Sequence, residues 1–294
     1  MRNPRRLGAD PLYPMQLDSH QHFWRYHPRD YDWIDDRMAA IRQDFTPTDL
    51  APRLSANALD GSIAVQARQS LAETAWLLEL AAAHPHVIRG VVGWLPLREQ
   101  GAAIGDVLAP WAGRAALKGV RHVLQGEPDA YMADAAFNAA LHQLPDLGLS
   151  YDLLVMAPQL PAAIALVDRH PELPMVLDHI AKPVVRGAPD PSWVNAIREL
   201  ARREHVCCKV SGIVTEVPDW QWTTDEIRPY FETVLEAFGP QRLMFGSDWP
   251  VCLVAADYAD WANCVRQLIS PLSPDEQAAI MGGTAARFYR IPSP

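Results

Sequence analysis

Two histidines one residue apart, His20 and His22, close the first short strand-like run, Leu17-Asp18-Ser19-His20-Gln21-His22. Alternate residues of a strand share a face, so the two imidazoles should converge, with Asp18 on the same side as His20. Converging imidazoles bind a metal or polarise a carbonyl. Histidine is also common on ordinary surface loops, and it is the place at a strand end that lifts this pair above that reading. A second run, the apolar Met175–Leu177, ends in Asp178-His179. His179 is expected at the centre, Asp178 as a group that orients an imidazole or accepts a backbone donor, and Lys182 as a substrate contact or a solvated charge. A third run ends Gly246-Ser247-Asp248-Trp249-Pro250. Gly246 permits close backbone approach. Pro250 follows Asp248 too closely for a helix cap, so Asp248 reads as a general base.

Weaker signals surround these. Arg121 and His122 end the run Leu117–His122, and Lys209 and Ser211 share a face in the run after Cys207. Each could donate to a substrate carbonyl or hydroxyl, although charged residues at strand ends are usually solvated. Glu216 is a candidate second acid/base group. Trp24 and Trp249, with Trp94, Trp220 and Trp222, could form stacking platforms for a sugar face, or simply pack under loops. Cys208 lies inside a strand with nothing adjacent to lower its pKa, so it is not read as a nucleophile.

The elements that must position these groups alternate along the chain. Short runs rich in Val, Leu and Ile cover Gln16–Ser19, Gly61–Val65, Ile88–Trp94, Leu117–Leu124, Ser150–Val155, Met175–Leu177, Val206–Val210 and Leu243–Gly246. Most are apolar on both faces, as strands of a covered parallel sheet must be. Helical periodicity falls between them, over Thr48–Asn57, Ser70–Ala83, Glu99–Trp111, Ala133–Leu144, Pro161–His170, Ser192–Glu204, Asp225–Phe238 and Tyr258–Leu268, with a ninth helix at Pro274–Met281 stopped by Gly282-Gly283. Eight strand–helix pairs without a Ser/Gly-rich linker predict a single-domain α/β fold, a (β/α)8 TIM-type barrel over 15–294, behind a flexible tail at 1–14. A doubly wound sheet would want a Gly-rich first turn, and His-Gln-His stands there instead. The stretch Phe23–Phe45 reads as a long loop that folds over the barrel mouth, with Tyr26, Tyr31, Trp33 and Ile34 as its adhesive residues.

Composition narrows the partners. The 294 residues carry Lys+Arg 26 against Asp+Glu 35, a net charge of -9, which opposes nucleic-acid binding. No run approaches the roughly 18 apolar residues of a membrane helix. Four cysteines without a Cys-x-x-Cys pair, and no apolar stretch after the N-terminal arginines, suit a reducing, cytoplasmic location.

The motifs "LDSHQHFW", "LKGVRHVLQ", "VLDHIAKP", "CKVSG" and "MFGSDWPV" occur in order across 18–251. Together they resemble the amidohydrolase superfamily, in its branch of sugar-lactone and related lactone hydrolases, and L-fuconolactonase-like members above all. The resemblance implies a deformed (β/α)8 barrel with His20, His22, His179 and Asp248 at its mouth. In metal-dependent relatives the first-strand histidines and the eighth-strand aspartate are ligands. Here the fifth strand offers no histidine and Lys118 lies early in the fourth, which disfavours a carboxylated lysine and a binuclear centre. Several lactonases of this branch work without a metal, with the aspartate as base.

The expectation is therefore a carbohydrate-metabolism hydrolase that opens a small-molecule sugar lactone to the aldonic acid. Asp248 would activate water, while His20, His22, His179 and Arg121 or Lys209 stabilise the oxyanion, and His122, Lys182, Trp24 and Trp249 contact substrate. His20, His22, His179 and Asp248 could hold a single Zn2+, which is not expected to be required. Two alternatives remain: a zinc-dependent decarboxylase or hydratase acting on an unsaturated or aromatic acid, and a non-enzymatic sugar-acid binder. Oligomeric state is left open.

Overall fold

The computed structural model describes residues 15–111 and 113–292. The tail expected at 1–14 lies outside them. Eight parallel strands follow one another in chain order around the sheet. They are β1 (Asp18–Gln21), β2 (Ser62–Val65), β3 (Ile88–Gly93), β4 (Leu117–His122), β5 (Ser150–Leu153), β6 (Met175–Leu177), β7 (Val206–Val210) and β8 (Leu243–Phe245). Helices connect them, as parallel strands require, and bury their apolar stripes against the outer face. A smaller cluster of Leu17, Ile63, Val65, Val92, Val176 and Met244 fills the barrel interior, with Tyr289 and Ile291 packed into it. The arrangement is the expected barrel.

The seam between β1 and β8 is closed by different means along its length. At the mouth, the Asp248 amide donates to His20 O at 2.8 Å, and the His22 amide to Trp249 O at 2.7 Å. Behind them, Asp18 accepts from Ser247 N at 2.8 Å, Ser247 Oγ at 2.5 Å and Tyr258 Oη at 2.8 Å. At the far end a wide turn, Ala279–Gly283, presses against the chain, and Leu17 N donates to Met281 O at 2.9 Å. Gly282 is required there, because a Cβ would stand 2.2 Å from Met15 O and 2.4 Å from Leu17 N.

Two helices differ from the periodicity. The segment Glu99–Trp111 is broken into Leu97–Gln100, Ile104–Leu108 and short 3-10 turns, because Gly101 takes φ +53° and Pro110 interrupts the end. The helix expected over Pro274–Met281 stops at Ala278, and after the glycines another begins at Thr284 and runs to Phe288. The long loop after β1 is pinched at its base by Trp24 N to Phe45 O at 3.0 Å and Phe45 N to Trp24 O at 2.8 Å. Its 3-10 turn Asp36–Ile41 packs on the turn Val251–Val254 after β8. Arg37 stacks 4.5 Å over the Trp220 ring and donates to Pro218 O at 3.1 Å. The loop thus covers one side of the mouth. No helix among the described residues is long and apolar enough to cross a membrane, and all four cysteines are free thiols.

Candidate active site

At the carboxyl ends of the strands lies a cavity of about 400 Å³, the size range of small-molecule sites. His22, His179, Asp248 and Arg121 face it, with Lys182, Thr215 and Glu216 on one side. Trp33, Met38, Trp220, Val251 and Val254 supply apolar wall.

The first strand aims its histidines through an irregularity. The register between β1 and β2 shifts between Asp18 and Gln21, so the simple alternation that would put Asp18 beside His20 fails. Asp18 turns to Ser247 and to Tyr258 on the helix Tyr258–Ile269, while His20 faces Arg121 and Lys209. His20 and His22 do converge, with Nε2 atoms 3.2 Å apart. His22 Nδ1 donates to Val65 O at 2.8 Å, which leaves its Nε2 lone pair facing inward.

His179 enters from a left-handed turn. Its φ of 52° is followed by 48°, 62° and 47° at Ile180, Ala181 and Lys182, each costing a non-glycine residue about 1–2 kcal/mol. Burial and the Trp193 indole, which donates to Ile180 O at 2.9 Å, hold the turn. His179 Nδ1 pairs with Ser211 Oγ at 2.8 Å. Gly212, at φ +64°, lets the β7 chain pass, since a Cβ would meet His179 Nδ1 at 2.5 Å. Gly246 plays the same part on β8, where a Cβ would sit 2.8 Å from His20 Cβ.

Asp248 completes the cluster. Its Oδ1 lies 3.4 Å from His22 Nε2, 3.8 Å from His20 Nε2 and 3.9 Å from His179 Nε2. Burial would push its carboxyl up, but His179, His22 and His20 more than offset this and hold it well below the usual range. Asp248 is therefore an ionised carboxylate at neutral pH. Burial pushes two imidazoles the other way: His179 is lowered to about 4, and His20 lies well below its ordinary value, through burial first and the Lys209 charge second.

Beneath them runs a buried charge network. Arg121 donates to Asp178 Oδ2 at 3.0 Å and to Gln66 O. Lys209, with no exposed surface, donates to Asp152 Oδ2 at 2.5 Å and lies 3.0 Å from Asp178 Oδ1. The Tyr289 hydroxyl donates to Asp152 Oδ2 at 2.8 Å. Asp152 was absent from the sequence-based site; its signal is a lone carboxylate in an otherwise apolar strand. At the rim, Lys182 and Glu216 pair at 3.6 Å, and burial pushes the Glu216 carboxyl up.

Four residues expected to contact substrate lie elsewhere. Lys209 is beneath the cavity rather than in its wall. His122 points to the helix layer, stacked 4.7 Å from Tyr131 and bonded to Glu127 at 3.0 Å, because β4 alternates and Arg121 takes the inward place. Trp24 and Trp249 are fully buried around Phe45, with ring centroids 5.6 Å and 5.1 Å away. The aromatic wall is instead Trp33 and Trp220.

The spacing of His20, His22 and Asp248 suits one metal ion. Ligands at zinc's usual bond lengths stand about 3.4 Å apart at the corners of a tetrahedron, and the separations here are 3.2, 3.4 and 3.8 Å. The His22 Nε2 lone pair and the Asp248 oxygen also face each other with no hydrogen between them, an opposition that a cation would relieve. Lys118 sits away from this cluster, bonded to Arg290 O at 3.2 Å.

Comparison with known proteins agrees. Residues 17–291 match the family described as Amidohydrolase. A Burkholderia multivorans protein named L-fucono-1,5-lactonase is 45% identical over 293 residues, covering 95% of this chain and 97% of its own. A second protein of that name, from Burkholderia ambifaria, is 35% identical over 287 residues, with the same shares covered. The crystal structure of a Burkholderia multivorans amidohydrolase with bound zinc superposes with a TM-score of 0.90 at 45% identity, over 95% of this chain and 100% of that one. A metal in this fold is thus supported, whereas the preference for none gains no support. The closed barrel, the paired histidines of its first strand and the aspartate of its eighth are what the match spans: the chain belongs to the amidohydrolase family.

Proposed function

We propose that this chain hydrolyses a sugar lactone of the fucono type to its aldonic acid. The observation that carries the reading is Asp248, ionised and ringed by three imidazoles on the floor of a cavity whose lining residues are half polar and half apolar. The likeness to two proteins named L-fucono-1,5-lactonase supports the substrate class. Water approaches the lactone carbonyl and gives its proton to Asp248 as the new C–O bond forms. The oxyanion is held by N–H donors from Arg121 and His179, an effect typically worth about 10²–10³ in rate per donor. Collapse breaks the ring C–O bond, and protonated Asp248 returns the proton to the leaving alkoxide. Lys182 and Glu216 are placed to bind hydroxyls, and Met38, Val251 and Val254 to pack a deoxy carbon.

His20, His22 and Asp248, with His179 beside them, would hold a zinc ion, which when bound supplies Lewis acidity to the carbonyl. That ion would also occupy the base. We therefore propose that turnover persists without it. Exhaustive chelation, checked by elemental analysis, is expected to leave activity; loss in proportion to zinc content, restored by zinc, would overturn this.

The substrate reading is tested with a pH-indicator assay over a lactone panel, since each opening releases one proton. Fucono- and galactono-lactones should be opened faster than simple aliphatic lactones. Butyrolactone turned over as well as any sugar lactone would sink it.

A further inference from the structure

His20 stands among partners that one neutral imidazole cannot satisfy together. At Nδ1, the Lys209 ammonium is 3.2 Å away and Asp178 Oδ1 3.4 Å. At Nε2, His22 Nε2 is 3.2 Å away and an Arg121 guanidinium nitrogen 3.3 Å. Ammonium and guanidinium only donate, an ionised carboxylate only accepts, and a neutral imidazole has one donor and one acceptor. Two arrangements each satisfy two of these partners. In the first, Nδ1 accepts from Lys209 and Nε2–H donates to His22 Nε2, free to accept because the other His22 nitrogen bonds Val65 O. In the second, Nδ1–H donates to Asp178, and the Nε2 lone pair accepts from Arg121 or ligates a cation. Only the second makes His20 a metal ligand.

We propose that Lys209 is a positioning residue that holds His20 in the first arrangement. The site then works with His20 donating to His22 Nε2, and it takes a divalent cation only by reversing that tautomer. The Lys209 contacts favour this. Lys209 is fully buried, and its ammonium has two hydrogen-bond acceptors, Asp152 at 2.5 Å and His20 Nδ1 at 3.2 Å, with Asp178 Oδ1 as an ion-pair partner at 3.0 Å. Turning the His20 lone pair away orphans one ammonium donor in a dry interior. Asp178 keeps Arg121 as donor to Oδ2 and the Lys209 ammonium as an ion-pair partner 3.0 Å from Oδ1, an oxygen that accepts no hydrogen bond. A metal-bound histidine usually donates its other N–H to a carboxylate or carbonyl. His22 has that partner; His20 meets an ammonium at the shorter distance, and its positive charge also opposes a dication on the same ring.

The inference rests on the proposed chemistry of this site, but its test needs no substrate. Long-range proton–nitrogen NMR spectra of the full-length, metal-stripped protein report the tautomer of each histidine. Wild type is expected to show His20 as Nε2–H. The double variant Lys209→Met/Asp152→Asn removes one charge of each sign and keeps an acceptor for Tyr289; it should show Nδ1–H and bind zinc about tenfold tighter in chelator competition. Asp152→Asn alone, which retains the ammonium, should keep the wild-type tautomer. A wild-type His20 found as Nδ1–H overturns the proposal, and that spectrum decides the matter should the double variant not fold. Unchanged zinc affinity in a folded double variant also overturns it. A chain that opens no lactone sinks the functional reading and leaves the tautomer and zinc results standing.

Discussion

Asp248 carries the chemistry because of what surrounds it. Three histidines hold its carboxyl ionised, and the β8 turn delivers it to the cavity floor. Asp248→Asn keeps the shape but cannot take a proton, so kcat should fall about 10²–10⁴-fold with an unchanged melting temperature. A variant retaining half of wild-type kcat would remove Asp248 as the base. His179 and Asp248 were legible in the sequence because each follows an apolar run, where a polar side chain has no packing reason to be, and His20 and His22 because alternate histidines close a strand-length segment. Lys209 and His122 were misplaced for a different reason. A strand end tells which residues are near the mouth, but not which face each takes or how deep it lies. Lys209 is answered by Asp152 and Asp178 from two other strands, a pairing visible only in three dimensions. Trp24 and Trp249 show the same limit: an indole at the mouth packs under a loop as readily as it meets a ligand.

At the scale of elements, strand order and helix spacing followed from periodicity, whereas the features that aim the site did not. The β1 irregularity and the left-handed turn His179–Lys182 leave no mark in residue type, since Ile180 and Ala181 are ordinary residues held in an expensive conformation by their surroundings. Gly212 is the exception, a glycine whose place can be tested. An alanine there must adopt φ +64° and push its Cβ against His179 Nδ1. A reacting group displaced by about 1 Å costs on the order of 10² in rate, so Gly212→Ala should lose both stability and about that much kcat. Gly187→Ala is the control: its φ is +67°, but nothing lies within 4 Å of the added Cβ. It should lower the melting temperature while leaving kcat alone. Equal kcat in the two variants would mean that Gly212 serves the backbone and not the position of His179.

For the whole molecule, the covering loop and the barrel are tied through one buried acid. Glu73, on the helix Leu71–Ala83, accepts from Ala67 N at 3.0 Å and Arg68 N at 2.7 Å, both on the same oxygen. The Tyr31 hydroxyl of the covering loop approaches its other oxygen at 3.5 Å. Burial raises the Glu73 carboxyl from 4.5 to about 7, against the opposing pull of those amides and of Arg68. Between these values the folded chain keeps a proton that the unfolded chain has released. Stability from this group is therefore full below pH 4.5 and declines as pH rises to about 7, where the folded state must ionise a buried acid. Glu73→Gln is neutral throughout, and its amide oxygen can take both backbone donors. Relative to wild type, the variant should gain up to roughly 3 kcal/mol in unfolding free energy on going from pH 4.5 to above pH 7. Denaturant unfolding of both proteins at pH 5 and pH 8 measures this as a change in their difference, so the other titrating groups cancel. A difference independent of pH would mean that Glu73 is ionised in the fold throughout, with its amides and Arg68 outweighing its burial.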